Sequence, residues 1–208
     1  AWLRMAEIYD AVDRKTKAQR LRRRAAELFE RFNEVFWDEA SGFYAFALDG
    51  EKTRVMSVAS NPGHCLWSGI VPPHRAGRVV KRLMAPDLWT GWGIRTLSSD
   101  HPAYNPNSYQ NGSVWPHDNG LIALGFRRYG FVEEAAQVAR GVSGAASYFQ
   151  QHQLPELYAG ISRAPTTFPV QYLGANTPQA WAAGSCFSFL QMFLGFQPDA
   201  PNGLLYLD

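Results

Sequence analysis

The stretch WTGWGIRTLSSDHPAYNPNSYQNGSVWPHDN, residues 89–119, is too rich in Gly, Pro and Asn to form a helix or a strand. It nevertheless contains three Trp, two Tyr, two His, Arg95 and Asp118. Long loops in compact domains are usually functional or disordered, and disordered segments are poor in aromatic residues. We therefore expect an ordered loop shaped around a ligand. Aromatic faces beside amides, an Arg and a carboxylate suit a neutral, polyhydroxylated ligand, so the stretch predicts a carbohydrate site.

The helical patterns on either side of this loop alternate between two kinds. Helices with one apolar face begin near Lys17, His74 and Phe131. Helices that are apolar on most faces begin near Pro62, Pro116 and Pro178. The links from apolar to one-sided helices are short, whereas the links back are long, at residues 37–59, 85–115 and 151–176. This alternation predicts an all-α fold, an α/α toroid of inner and outer helices whose long loops emerge on one face.

The number of helical patterns indicates that the toroid is incomplete. Seven are visible, including an opening helix over residues 1–12 that is expected to be buried on most sides. A closed toroid of six pairs has twelve, so we expect residues 1–208 to be the C-terminal part, about half, of a single (α/α)6 domain. A strand at residues 43–48 followed by the turn Asp49-Gly50 predicts a small β-hairpin insertion. Phe43, Tyr44 and Phe46 are expected to cover the rim there.

Composition and charge argue against several kinds of binding partner and cofactor. The 20 basic and 18 acidic residues nearly balance, which argues against binding to nucleic acid or an anionic membrane. Cys65 and Cys186 fall in apolar helical runs and are expected to be small buried residues. No Cys/His cluster has zinc spacing, so we expect neither a metal nor a cofactor. The most apolar run, residues 180–196, is shorter than a membrane span, and without a signal-peptide layout we expect a cytoplasmic protein.

Four strings in chain order carry a family resemblance. They are WTGWGIRTLSS at 89–99, YNPNSYQNGSVWPHDNG at 104–120, QLPELYAG at 153–160 and NTPQAWAAG at 176–184. Together they resemble the bacterial glycogen-debranching-like (amylo-α-1,6-glucosidase-like) glycoside hydrolases, relatives of the glucoamylases, trehalases and mannosylglycerate- and glucosidase-I-type enzymes. The resemblance covers essentially the whole chain. It implies a six-hairpin (α/α)6 barrel and inverting hydrolysis of an α-glucosidic linkage in an oligosaccharide or α-glucoside.

Glu156 is the predicted general base. Inverting hydrolysis needs a protonated carboxyl for the leaving oxygen and an ionised carboxylate, about 6.5–9.5 Å away, that activates water on the opposite face. The resemblance places the base in the loop between the last two helices, where Glu156 is the one carboxylate. Pro155 restricts the backbone beside it. The alternative roles for Glu156 are a solvated loop residue or a partner of Arg163 that holds the loop.

The general acid has no matching residue. In relatives it lies in the loop before the sixth helix, which is where this chain begins, so the resemblance implies an acid upstream and an inactive isolated chain. Asp118 is the tempting substitute, but an Asp in the first helical turn is often only stabilised by the helix N-terminus. We expect Asp118 to bind sugar hydroxyls, with a structural role as the alternative.

Further candidate substrate-binding residues come from the loops and from the start of the last inner helix. They are Trp92, Arg95, Tyr109, Asn111, Trp115, His117, Gln179 and Trp181. The Trp rings could stack on pyranose faces, although Trp is equally common at the rim of a core. Arg95 could bind two hydroxyls or orient Glu156, and its alternative is a buried ion pair with Asp118 or Glu156. His64, on an inner helix, is expected to be a satisfied core histidine.

Two other functions fit the same toroid. A sugar epimerase-type isomerase would transfer protons through histidines, so His117 and His152 would have to converge. A non-catalytic carbohydrate-binding fragment would keep the sugar contacts without the acid. In either case, exposed inner helices at the open edges predict association with the N-terminal half of the barrel or self-association.

Overall fold

The computed structural model describes residues 1–207, in which seven α-helices dominate. They are α1 (Trp2–Ala11), α2 (Lys15–Val35), α3 (Asn61–Ser68), α4 (Pro73–Leu83), α5 (Pro116–Arg128), α6 (Val132–Ala146) and α7 (Ala180–Leu194). Short 3-10 turns lie at Gln150–His152 and Ala200–Asn202. α3, α4 and α5 each have Pro in the first turn, where its missing N–H has no intrahelical partner to lose. α7 begins later than the predicted Thr177-Pro178, because Gln179 keeps an extended backbone and caps the helix with its side chain.

The helices are arranged in an inner and an outer row. α5 packs between α3 and α7 in the inner row, while α4 packs against α3, and α6 against α5 and α7. Glycines set the close approach of α3 and α5. A Cβ at Gly125 would lie 2.7 Å from the Trp67 backbone nitrogen, and one at Gly63 would lie 2.4 Å from the Ile122 side chain. α1 and α2 pack on each other, and the end of α2 joins the main core.

The long links converge where the inner helices begin. Each link leads into the N-terminus of an inner helix: residues 36–60 into α3, 84–115 into α5 and 147–179 into α7. Isolated antiparallel bridges join them, pairing residue 59 with 97, 95 with 114, 114 with 158, and 158 with 171. The long loops therefore form one connected layer, as the alternation of helices predicted.

Asn119 fastens this layer to α5. It is completely buried in the first turns of the helix. Its Oδ1 accepts from the Ile94 backbone nitrogen at 2.7 Å, and its Nδ2 donates to the Ile94 carbonyl at 3.1 Å. The same Nδ2 also donates to the Trp115 carbonyl at 3.0 Å. The amide thus pairs with Ile94 much as a neighbouring strand would. Without it, the buried backbone N–H and C=O of Ile94 would lack partners, which is energetically costly.

The strands form three two-stranded antiparallel ribbons. They pair β1 (Trp37–Asp38) with β2 (Phe43–Tyr44), β3 (Ala47–Leu48) with β4 (Arg54–Val55), and β5 (Gln197–Asp199) with β6 (Leu204–Tyr206). The predicted insertion is therefore split in two, and the last ribbon is an addition. The expectation that Phe43 and Tyr44 cover the rim is wrong. Both are buried in the main core, where the Tyr44 hydroxyl donates to Asn33 Oδ1 at 2.5 Å; Phe46 is exposed.

Two helices leave apolar faces uncovered. α1 buries Ala6 and exposes Leu3, Met5 and Ile8, so the expectation that it is buried on most sides is wrong for the described residues. α7 is apolar almost all round, yet its exposed side chains include Phe187, Leu190, Phe193 and Leu194. Cys186 lies exposed on α7, contrary to expectation. Cys65 is half-buried on α3, and burial raises the pKa of its thiol to about 12.

None of the helices among residues 1–207 is long and apolar enough to cross a membrane.

We predict that Asn119→Ala lowers the free energy of unfolding by about 3 kcal/mol, because it leaves the buried N–H and C=O of Ile94 without partners. Urea denaturation measures this loss. Asn107→Ala is the matched control, since Asn107 is exposed in the same loop layer. Equal stability of the two variants would contradict the anchoring role of Asn119.

Candidate active site

Glu156 is held on both carboxylate oxygens in the link between α6 and α7. Oε1 accepts from the Tyr109 hydroxyl at 2.6 Å, and Oε2 accepts from the backbone and side-chain nitrogens of Asn176, both at 3.3 Å. The residue is 5% exposed. The Tyr109 hydrogen bond is the main cause that lowers the pKa of Glu156, with burial acting against it. Glu156 is therefore kept ionised, and it does not pair with Arg163, which stacks over Trp92 instead.

Aromatic rings form a wall beside this carboxylate. Trp115 meets Tyr109 edge to face at 4.9 Å and Trp181 at 5.8 Å, measured between ring centroids. His117 stacks flat on Trp181, with centroids 3.9 Å apart and an interplanar angle of 3°. The Trp115 indole N–H is used internally, donating to the Tyr109 carbonyl and to Ser113 Oγ. Trp181 is 47% exposed, so it offers ring surface on which a pyranose could stack.

The link before α7 supplies further contacts to Glu156. Asn176 bonds Glu156 through its side chain and also through its backbone, since its carbonyl accepts from the Glu156 N–H at 2.9 Å. The Tyr172 ring packs against Tyr109 at 5.6 Å. Gln179 caps α7 by accepting from the Ala180 nitrogen, and it also contributes to the low pKa of Glu156. The carboxylate of Glu156 is thus bonded from two loops, by Tyr109 before α5 and by Asn176 before α7.

Asp118 and His64 form a pair at the start of the inner row. Asp118 Oδ1 lies 2.5 Å from His64 Nε2, which joins α5 to α3. This hydrogen bond raises the pKa of His64, although burial opposes it. The Asp118 side chain is 9% exposed, whereas the His64 side chain is 40% exposed. His64 is therefore paired as expected but is not a core residue. Burial lowers the pKa of the neighbouring His117.

Three predicted site residues lie away from Glu156. Trp92 is buried in a second core cluster with Val114, Ala145, Phe149 and Tyr158, so it cannot serve as a stacking platform. Arg95 does not pair with Asp118 or Glu156, because its N–H groups are used within the loops. Its guanidinium donates to the carbonyls of Pro86, Asp87 and Gly160 and to Ser162 Oγ. Asn111 is exposed in the loop, and the side-chain hydrogen bonds of Glu156 go to Tyr109 and Asn176 instead.

The structure thus separates the candidates into two groups. Those gathered on the side of Glu156 or of the His64–Asp118 pair are Tyr109, Trp115, His117, Asp118, Gln179 and Trp181. Sequence reasoning missed Asn176, Tyr172 and the exposure of His64. Asn176 opens the string NTPQAWAAG and could have been found there, whereas no sequence signal indicates the contact between Tyr172 and Tyr109.

Comparison with known proteins places the chain among glycoside hydrolases. The family model described as "Mannosylglycerate hydrolase MGH1-like glycoside hydrolase domain" matches residues 1–160. Mannosylglycerate hydrolase from Thermus thermophilus is 30% identical over 129 residues, which is 60% of this chain. The match covers 29% of that relative, so the chain spans less than a third of its length.

Solved structures share the fold. A crystal structure of GH63 mannosylglycerate hydrolase from Thermus thermophilus in complex with glucose aligns with a TM-score of 0.57 at 23% identity, covering 76% of this chain and 37% of the other. Neutral trehalase from Saccharomyces cerevisiae aligns with a TM-score of 0.65 at 16% identity, covering 89% and 32%. The predicted helical toroid is confirmed. Since the family model matches well over half of its residues, the chain belongs to the MGH1-like glycoside hydrolase domain family.

Proposed function

We propose that this chain supplies the water-activating side of an inverting glycoside hydrolase site, with Glu156 as the general base. The observation that carries this proposal is the carboxylate of Glu156, which Tyr109 and Asn176 hold in its ionised form. A water beside it would give its proton to Glu156 as the water oxygen bonds to the anomeric carbon. The departing oxygen takes a proton from the general acid at the same time.

The general acid is proposed to come from another part of the protein. Asp118 is poorly placed for that role, because Oδ1 is bonded to His64 and Oδ2 is enclosed by the protein. Proton donation needs an oxygen that can reach the leaving group. The resemblance of the four loop strings instead implies a carboxylic acid upstream, in the loop before the sixth helix of the barrel.

We further propose that residues 1–208 form the C-terminal part of a single (α/α)6 domain. The exposed apolar faces of α1 and α7 support this, since large uncovered apolar surfaces usually mark interfaces. The length of the mannosylglycerate hydrolase relative, of which the match covers 29%, agrees with it. In the complete protein, the rest of the barrel would cover the apolar faces of α1 and α7. When the rest of the barrel is missing, we expect the chain to self-associate through these faces.

The proposed substrate is a short glycoside. The resemblance of the loop strings predicts an α-glucosidic linkage of the glycogen-debranching kind, while the family and the Thermus relative are named for mannosylglycerate. We favour a glycoside of glycerate, because a family model that matches residues 1–160 carries more information than four short loop strings. Comparing hydrolysis of mannosylglycerate, glucosylglycerate and a branched α-1,6-glucan by the complete protein decides between a glycoside of glycerate and a glycogen-type branch as the substrate.

An isomerase of the epimerase type is less well supported. It requires His117 and His152 to converge on one ligand. His117 is stacked on Trp181, and its Nδ1 is enclosed without a partner among residues 1–207. His152 is exposed in the turn Gln150–His152, and no hydrogen bond or ring contact in the described chain joins it to His117.

Glu156→Gln in the complete protein should reduce kcat by about 10³-fold while leaving substrate binding nearly unchanged, because the amide keeps the shape but cannot take the proton. Steady-state kinetics and calorimetric binding measure the two effects. Glu133→Gln, on the exposed side of α6, is the control and should behave as wild type. Near-normal turnover in Glu156→Gln would eliminate Glu156 as the base.

Tyr109→Phe should move the acidic limb of the kcat/KM profile to higher pH. The pKa of Glu156 is lowered in the folded protein, so the base is ionised above that pKa and is lost as pH falls through it. Removing the hydroxyl removes the main cause of the lowering, and protonation then begins at higher pH. Tyr172→Phe removes a hydroxyl that is not bonded to Glu156 and keeps the ring that packs against Tyr109, so it should leave the limb in place. An unmoved limb in Tyr109→Phe would refute this role.

Residues 1–208 produced alone should show no hydrolysis of any of these glycosides, because the proposed acid is absent. A sensitive assay for released reducing sugar tests this against the complete protein under identical conditions. Measurable turnover that disappears with Glu156→Gln would mean that the acid lies within residues 1–208.

A further inference from the structure

The His64–Asp118 pair is the group of ionisable side chains that the proposed chemistry leaves unused. The pair joins the first turns of α3 and α5, which Gly63 and Gly125 allow to pack closely. His117, next to Asp118, lies against the stacking ring of Trp181. The pair therefore stands beside the aromatic wall, at the end of the inner row where the loops converge.

Asp118 has no oxygen to offer a ligand. Oδ1 is 2.5 Å from His64 Nε2, and Oδ2 is fully enclosed, without a hydrogen-bond partner among residues 1–207. A sugar hydroxyl would have to displace protein atoms to reach either one. The expectation that Asp118 itself binds hydroxyls therefore does not agree with the geometry, even though its position in the fold is near the site.

His64, unlike Asp118, has an exposed side chain. Its Nε2 is fixed by the carboxylate and carries the shared proton, since a carboxylate oxygen accepts. Fixing one ring nitrogen also fixes the direction of the other, which is how carboxylates orient histidines that act on a ligand. The side chain is 40% exposed and lies on the same side of α3 as the exposed Asn61 and Ser68, three and four residues away. Nδ1 is therefore the polar atom of the pair that a ligand can reach.

We propose that His64 contacts the substrate through Nδ1, binding a sugar hydroxyl, and that Asp118 is the positioning residue that holds the imidazole for this contact. The proposal rests on the proposed function, since it needs a sugar in the site. It reverses the roles that the sequence suggested for the two residues. A purely structural ion pair between α3 and α5 is the competing explanation.

The complete protein carrying Glu156→Gln provides the test, because it should bind sugar without consuming it. Calorimetry with mannosylglycerate and with D-glucose measures Kd for that protein and for the same protein with His64→Ala added. We expect Kd to rise about tenfold, the usual effect of losing one hydrogen bond to a ligand. His74→Ala, on the exposed side of α4, is the matched control and should leave Kd unchanged.

Asp118→Ala separates positioning from direct contact. It should raise Kd about as much as His64→Ala, and the double variant should be no worse than either, because both lose the same contact. His64→Gln should recover part of the affinity, since its amide also offers a polar group there. Thermal unfolding of each variant accompanies the binding data.

The outcomes separate the two proposals. Unchanged Kd in His64→Ala together with lowered thermal stability would mean a structural pair and would overturn the inference. Failure of both sugars to bind would also overturn it. Hydrolysis that persists in Glu156→Gln would instead refute the role of Glu156, whatever the effect of His64→Ala on Kd.

Discussion

The fold depends on how the long loops are held to the inner helices by buried polar side chains. Asn119 pairs with both backbone groups of Ile94, which fixes the loop before α5 to the helix it precedes. Arg95, the next residue, donates to carbonyls in its own loop and to Gly160 in the loop before α7. Arg95 is 4% exposed, and a buried guanidinium is costly unless its N–H donors find acceptors. Asn119 thus ties the first loop to α5, and Arg95 ties that loop to the loop before α7.

This layer explains how the carboxylate of Glu156, the proposed base, is held in place although it lies outside regular structure. Glu156 stands two residues before Tyr158, whose backbone pairs with Val114 of the first loop on one side and Gln171 on the other. Its two oxygens are then bonded from those same two loops, by Tyr109 and Asn176. Preorganised contacts of this kind would lower the cost of aligning the proposed base with water. Glu156 is held in place because the loops that bond it are joined to one another.

The exposed apolar surfaces have a different origin. α7 has almost no polar face, and a helix of that composition is stable when other helices surround it. Here α5 and α6 cover part of it, and Phe187, Leu190 and Phe193 remain exposed. The composition of the inner row is therefore the one expected for the proposed closed ring, in which further helices would cover these side chains.

The sequence by itself determined the helices, their alternation and the identity of the loops, because periodicity and turn residues act over a few positions. The loop strings also indicated Glu156 and most of its aromatic neighbours. The sequence was misleading wherever a role depends on what surrounds a side chain. Trp92 and Arg95 have the right chemistry for a sugar but are turned into the interior, whereas His64, expected in the core, is half-exposed. Only the tertiary structure decided these cases, because burial and hydrogen-bond partners depend partly on residues far away in sequence, 54 positions for His64 and Asp118 and 65 for Arg95 and Gly160.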